Sequence, residues 1–243
     1  MGRLEGQHVV VVGGASGIGL AVARKCAGEG ARLTLVGRTE SRLREAAAEI
    51  GGARYQVADA ATDGALGDAY AAAGVFDHLV TTVSASSTRL GVAVDMVDMP
   101  LGAAHDFFEG KFWGQYRSAR EALGHVARTG SITFTSGVAA RRSLPGHTIL
   151  AAANAAIEAC ARQLANELAP LRVNTISPGL TATRTYDHYT PAEREAFFQR
   201  VTGNMPLGRA ARPEEIADAY LFAITADYLT GAVIDIDGGF LVQ

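Results

Sequence analysis

Short apolar runs alternate with helical patterns along the whole chain, and this rhythm restricts it to a parallel sheet covered by helices on both faces. Val9 to Val12 contains no polar residue, as expected of a strand buried on both sides. A helical pattern over Ile18 to Gly28 follows, then a strand at Arg32 to Val36 and a helix at Ser41 to Ile50. Arg54 to Val57 and His78 to Val83 continue the alternation, and a long helix is expected over Ala103 to Ala127. Ser131 to Phe134, a helix over Thr148 to Leu168, Arg172 to Ile176 and Val233 to Ile236 complete it. Seven strands with intervening helices imply right-handed crossovers and an α/β, doubly wound parallel sheet. There is no linker, repeat or low-complexity tract, so residues 1–243 read as a single domain.

Composition narrows the function classes. A net charge of −3 with scattered Lys and Arg gives no electrostatic footprint for nucleic acid. The two cysteines, Cys26 and Cys160, stand in Ala-rich helical patterns and read as small buried thiols. There is no Cys-x-x-Cys or Cys/His cluster, so no metal site is expected. Met1 to Gln7 runs into the first strand without a charged-then-apolar leader, and no apolar run is long enough to span a bilayer. A cytoplasmic protein without a membrane partner is expected.

The turn after the first strand carries the first chemistry. Val12-Gly13-Gly14-Ala15-Ser16-Gly17-Ile18-Gly19 follows a strand and opens a helix. Glycines there permit a tight turn and let backbone N–H groups approach a diphosphate at the positive end of the helix. The second strand ends Val36-Gly37-Arg38-Thr39. Gly37 leaves space and Arg38 supplies a cation, the arrangement expected for a 2′-phosphate, with the Ser16 hydroxyl near enough in sequence to assist. NADP(H) is therefore expected over NAD(H), although Arg38 also reads as an ordinary solvated charge.

The spacing of Gly13, Gly17 and Gly19 resembles the short-chain dehydrogenase/reductase family, and other segments extend the likeness over almost the whole chain. Asp59-Ala60 resembles the family's adenine-contacting pair, and Pro178-Gly179 with Thr183 resembles the segment lining the nicotinamide and diphosphate. Tyr228 to Gly239 is similar to the family's last strand. The resemblance implies a Rossmann-type seven-stranded sheet, a cofactor site built from Gly13, Ser16, Gly17, Ile18, Gly19, Arg38, Thr39, Asp59, Ala60, Val83, Pro178, Gly179 and Thr183, and a small-molecule substrate. Where the family has Asn-Asn-Ala-Gly after the fourth strand, this chain has Thr81-Thr82-Val83-Ser84, followed by a hydroxyl-rich loop to Thr88.

The catalytic residues depart from the family together. Its Asn, Ser, Tyr and Lys positions are Lys111, Gly137, Leu150 and Asn154 here. Leu150 cannot move a proton, and general acid catalysis alone is worth about 10²–10⁴ in rate. The candidate replacements are Lys111, Ser136, His147 and Asn154. Strand alternation turns Ser136 away from the site unless Gly137 permits a rearrangement. His147 lies about one helical turn before Leu150. Lys and Asn have exchanged helices, and Lys111 and Asn154 are expected to meet beneath the nicotinamide. Arg141-Arg142 read either as solvated charges or as a rim for an acidic substrate, and Tyr186, His188 and Tyr189 as donors from a lid.

Three functions follow from these residues. The first is an oxidoreductase with an atypical site, acting on a small carbonyl, an alcohol or an activated double bond. The second is a non-catalytic NADP(H)-binding subunit or sensor, and the third a non-redox lyase or isomerase using the same pocket. The helix at 148–168 reads as apolar nearly all round and the helix at 103–127 carries excess aromatics, so a homodimer or homotetramer through both is expected.

Overall fold

The computed structural model describes residues 2–85 and 94–242. All seven expected strands form, in one parallel sheet: β1 (His8–Val12), β2 (Arg32–Gly37), β3 (Arg54–Val57), β4 (Phe76–Thr81), β5 (Val126–Thr135), β6 (Arg172–Pro178) and β7 (Val233–Ile236). Their order is β3-β2-β1-β4-β5-β6-β7, so the winding reverses between β1 and β4. This reversal opens a crevice at the carboxyl ends of those strands, the standard ligand position in such sheets.

The period of two in β1 divides the interior. Val9 and Val11 join Leu33, Leu35, Val80 and Ile176 on one face. That face is covered by α1 (Gly17–Gly28), α2 (Glu40–Ile50) and, further along the chain, the helix Pro213–Thr225. Val10 and Val12 join Leu79, Ile132, Phe134 and Val173 on the other. There α3 (Ala65–Ala73) and two later helices cover them. Each valine contributes about 1.5–3 kcal/mol through burial, which is why an uninterrupted apolar run sits at the sheet's centre.

The long helix differs from expectation. It runs as α4 (Leu101–Phe108), a π-helical turn over Glu109–Trp113, and α5 (Gly114–Ala122). It does not continue to Ala127, because the backbone turns at Leu123 to His125 and Val126 enters β5 opposite Phe76. β5 is correspondingly longer than Ser131 to Phe134, with a shift of register between Phe76 and His78. β4 begins earlier than expected and ends at Thr81, so Thr82 and Val83 leave the sheet toward the glycine turn.

α6 (Thr148–Glu167) has one buried face of Ala153, Asn154, Ile157, Glu158, Ala161 and Ala165, while Ala152, Ala155 and Ala159 are exposed. Two further helices complete the fold, α7 (Pro191–Thr202) and α8 (Pro213–Thr225), which packs on α1. Cys26 is buried and Cys160 half-buried. Among the described residues no helix is long and apolar enough to cross a membrane. No group of three His, Cys, Asp or Glu side chains there is placed to hold a metal.

Candidate active site

The glycine turn packs against the residue that departs from the family pattern. Thr82 bonds the Val12 carbonyl through its N–H at 2.9 Å and its hydroxyl at 3.1 Å. A Cβ on Gly13 or on Gly19 would lie 2.6 Å from Thr82 Oγ1, and one on Gly19 would lie 2.3 Å from the Gly13 carbonyl oxygen. Only glycine fits either place. Gly13 and Gly17 also hold φ at +86° and +54°, which suits glycine. Ser16 caps α1 with extended backbone and no side-chain hydrogen bond, and the first turn carries no acidic residue. The amides of Gly17, Ile18 and Gly19 therefore keep the free donors of a helix start, facing the crevice.

Other elements close on this turn. Thr183 stands 3.4 Å from a Cβ placed on Gly17, so the segment after β6 arches over the start of α1. That segment is tied down by Gly179 N–H to the Ile236 carbonyl at 3.0 Å and Ala182 N–H to the Ala211 carbonyl at 2.8 Å. Gly179 is packed so tightly that a Cβ would reach 2.7 Å from Asp237 Cα. Arg38 and Thr39 are exposed at the end of β2, and Arg38 has no ion pair or hydrogen bond among the described residues. Asp59 accepts from the Ala61 N–H at 3.0 Å. Val83 and Ala60 both pack at Gly114. Ser84 and Ala85 are described, whereas Ser86, Ser87 and Thr88 of the hydroxyl-rich loop lie outside the described residues. A cradle without side chains and free helix-start amides fit a dinucleotide, with an exposed guanidinium beside them that has no partner among the described residues.

The other half of the site gathers at the end of β5. The π-helical turn aims Lys111 inward, and it is 5% exposed. Its Nζ donates to the Thr135 carbonyl at 3.1 Å and the Ser136 carbonyl at 3.3 Å. Burial brings its pKa from the usual 10.5 down to about 8. Gln115, wholly buried one turn later, clamps Thr135 as a neighbouring strand would. It donates to the Thr135 carbonyl at 2.8 Å and accepts from the Thr135 N–H at 2.8 Å.

Asn154 is buried, with its Nδ2 only 3.0 Å from where a Gly137 Cβ would lie, and its Oδ1 has no hydrogen-bond partner among the described residues. Gly137 is needed here for space, since its φ of 166° is ordinary extended backbone. Lys111 and Asn154 approach the same strand end from two helices, at Thr135 and Gly137, without a hydrogen bond to each other. The carbonyls of Thr135 and Ser136 are the nearer partners for an ammonium that burial has stripped of water.

Ser136 follows the last residue of β5 and donates to Glu158 Oε1 at 2.9 Å, so it meets the same face of α6 that Gly137 meets at Asn154. Glu158 pairs with Arg141 Nη2 at 3.4 Å, and Arg141 Nη1 donates to Asp235 Oδ2 at 2.6 Å. Arg142 bonds the Phe240 carbonyl and lies over its ring. Neither arginine is the free rim charge that an acidic substrate would need. His147 donates from Nδ1 to the Pro145 carbonyl at 2.8 Å, which leaves Nε2 to accept or give a proton. It shares a small cavity of about 10 Å³ with Leu150, Ile149, Phe107 and Met99. Tyr186 packs against Phe197 and Phe198, and burial pushes its hydroxyl up to about 12, which makes it a weaker acid than a free phenol.

Comparison with known proteins places this geometry. A family model described as enoyl-(acyl carrier protein) reductase matches residues 13–241. A short-chain dehydrogenase/reductase of Stachybotrys chlorohalonatus is 29% identical over 100% of both chains. Galactitol 2-dehydrogenase (L-tagatose-forming) of Cereibacter sphaeroides is 34% identical, over 99% of this chain and 97% of that protein. The chain belongs to the short-chain dehydrogenase/reductase family. It is thereby one of a family of NAD(P)-dependent oxidoreductases. A solved small-chain dehydrogenase in complex with NADPH superposes with a TM-score of 0.84 at 36% identity, covering 98% of this chain and 99% of that one. Gln115 and Glu158, which hold Thr135 and Ser136 at the end of β5, were not singled out by the sequence of this short-chain dehydrogenase/reductase. Glu158 falls four residues after Asn154, on the same helix face, and that spacing is the one signal pointing to it.

Proposed function

We propose that this short-chain dehydrogenase/reductase takes NADP(H) in preference to NAD(H) and acts on a small carbonyl, alcohol or activated double bond with no tyrosine acid. The observation that carries the reading is the glycine turn, closed against Thr82 and roofed by Thr183, with Arg38 beside it and without a partner among the described residues. Gly13, Gly17, Ile18 and Gly19 hold the diphosphate through backbone amides, while Arg38, Ser16 and Thr39 take the 2′-phosphate. Asp59 and Ala60 border the adenine, and Val83, Pro178, Gly179 and Thr183 border the other half. A bound nicotinamide supplies or accepts a hydride.

Proton handling falls to this chain's remaining groups. Lys111 carries its proton at neutral pH, on an Nζ held by two carbonyls. Its positive charge favours developing negative charge at the strand end. His147 Nε2 exchanges a proton next to Leu150, which can do neither. Asn154 stands at the same strand end, its buried Oδ1 without a partner among the described residues. Substrates that stabilise their own charge, such as conjugated or acidic acceptors, suit such a site. The aromatic cluster of Phe108, Phe112, Trp113 and Tyr116, with Trp113 43% exposed, supports association of two copies through α4 to α6. We place the protein in the cytoplasm.

Titration with NADPH, NADP+ and NADH tests the binding, and nicotinamide absorbance against carbonyls, quinones, imines and enones tests the chemistry. NADPH is expected to bind more tightly than NADH, with at least one acceptor class consuming it; failure to bind NADPH overturns the reading. A second reading, an NADP(H)-binding subunit or sensor, draws support from Lys111 Nζ and Ser136 Oγ being engaged by protein groups. Tight binding with no turnover by any class would select it.

A further inference from the structure

Glu158 is a carboxylate on the buried face of α6, one turn beyond Asn154 and 5% exposed. Burying a carboxylate is unfavourable, and a well-packed apolar residue there would often be neutral or stabilising. Its contacts explain its presence. Glu158 Oε1 accepts from Ser136 Oγ at 2.9 Å, and Arg141 joins it at 3.4 Å while gripping Asp235 on β7. Lys111 meanwhile donates to the carbonyl of the same Ser136 at 3.3 Å. The peptide leading into Gly137 is thus held from α4–α5 by an ammonium and from α6 by a carboxylate. Glu158, Arg141 and Asp235 form a chain of alternating charge that links α6 to β7, and Ser136 joins it to the end of β5.

We propose that Glu158 is a positioning residue. Through Ser136 and Arg141 it sets the distance between the Gly137 backbone and Asn154, and so the position of the Asn154 amide at the end of β5, where its Oδ1 is buried without a partner among the described residues. This rests on the reading that the crevice binds NADP(H). The spacing it controls is tight, since only 3.0 Å separates Asn154 Nδ2 from a Cβ position on Gly137, so a small shift of α6 changes what Asn154 can reach. Neither Glu158 nor Ser136 touches the glycine turn, and the adenine half of the crevice is independent of them.

The test compares Glu158→Leu, Glu158→Gln and Ser136→Ala with the parent protein. Two ligands are titrated at a temperature where all are folded: NADPH, which spans the crevice, and 2′,5′-ADP, which fills its adenine half. Glu158→Leu is expected to weaken NADPH about tenfold, equivalent to one lost hydrogen bond, while 2′,5′-ADP binds as before. Glu158→Gln, which keeps an acceptor for Ser136, is expected to fall between. Equal loss for both ligands, or a lower melting temperature with unchanged NADPH affinity, means a merely structural role and overturns the proposal. A parent that binds neither ligand refutes the cofactor reading instead. Amide exchange in the free protein then decides: faster exchange confined to residues 135–140 and 150–158 in Glu158→Leu supports positioning, and unchanged exchange overturns it.

Discussion

Gly137→Ala is the smallest change that probes how the rebuilt site holds together. A Cβ at this position lies 3.0 Å from Asn154 Nδ2, 3.7 Å from its Cγ and 3.8 Å from the Pro178 carbonyl oxygen. Ordinary carbon contacts settle near 3.5–4.0 Å, so the amide must retreat by a few tenths of an ångström. Asn154 is 2% exposed on a packed helix face and has little room to do so. Overpacking of this kind costs about 1–3 kcal/mol. For a chain of this length the melting temperature should fall by roughly 2–4 °C per kcal/mol. The backbone itself raises no objection, because φ of 166° and ψ of 156° are open to any residue. In an Asn154→Ala background the clash is gone, and Gly137→Ala should become stabilising by about 0.4–1 kcal/mol through the unfolded chain. Urea melts of the four proteins give a double-mutant cycle with a coupling of roughly 2 kcal/mol. The same sign for Gly137→Ala in both backgrounds would refute the steric linkage of the two positions.

Other expectations concern charge. Lys111 titrates at about 8 when folded and near 10.5 when not, so between those values the unfolded chain holds the extra proton. Parent stability measured against Lys111→Met should therefore rise by about 3 kcal/mol from pH 8 to pH 10.5, and a flat difference would contradict the buried ammonium. His78, bonded to Ser131 and Gln7, is brought down to about 4 by burial. Stability relative to His78→Gln should fall by about 3 kcal/mol as pH drops from 6.5 to 4, and urea melts across that window check it. Arg38→Glu should weaken NADPH by about 10–100-fold while sparing NADH, as fluorescence titration would report; equal loss of both would remove Arg38 from the phosphate site.

The strands were legible because their patterns are unambiguous. Val9 to Val12 has no polar residue to suggest another fate, and the turn at Gly13 follows it directly. The end of the long helix was not legible, since Val126 suits the helical pattern and becomes a strand residue only once Phe76 pairs with it. α7 was missed in the sequence, although Thr190-Pro191-Ala192-Glu193 carries the residue types of the reciprocal cap that its threonine and glutamate form at 3.3 and 2.8 Å. The π-helical turn left no trace in the hydrophobic pattern, yet it decides where Lys111 points. The partners of Ser136 and Lys111 lie 22 to 25 positions away in sequence. A lone chain names such residues without saying which of them meet.

Every functional role proposed above requires the crevice beside Gly13 to hold NADP(H). Titrating the protein with NADPH and following nicotinamide fluorescence tests that directly. Saturable binding, at least about tenfold tighter than NADH and weakened by Gly19→Ala, whose methyl would strike the Gly13 carbonyl oxygen and Thr82, is the predicted result. Absence of saturation, or binding indifferent to Gly19→Ala, would contradict it.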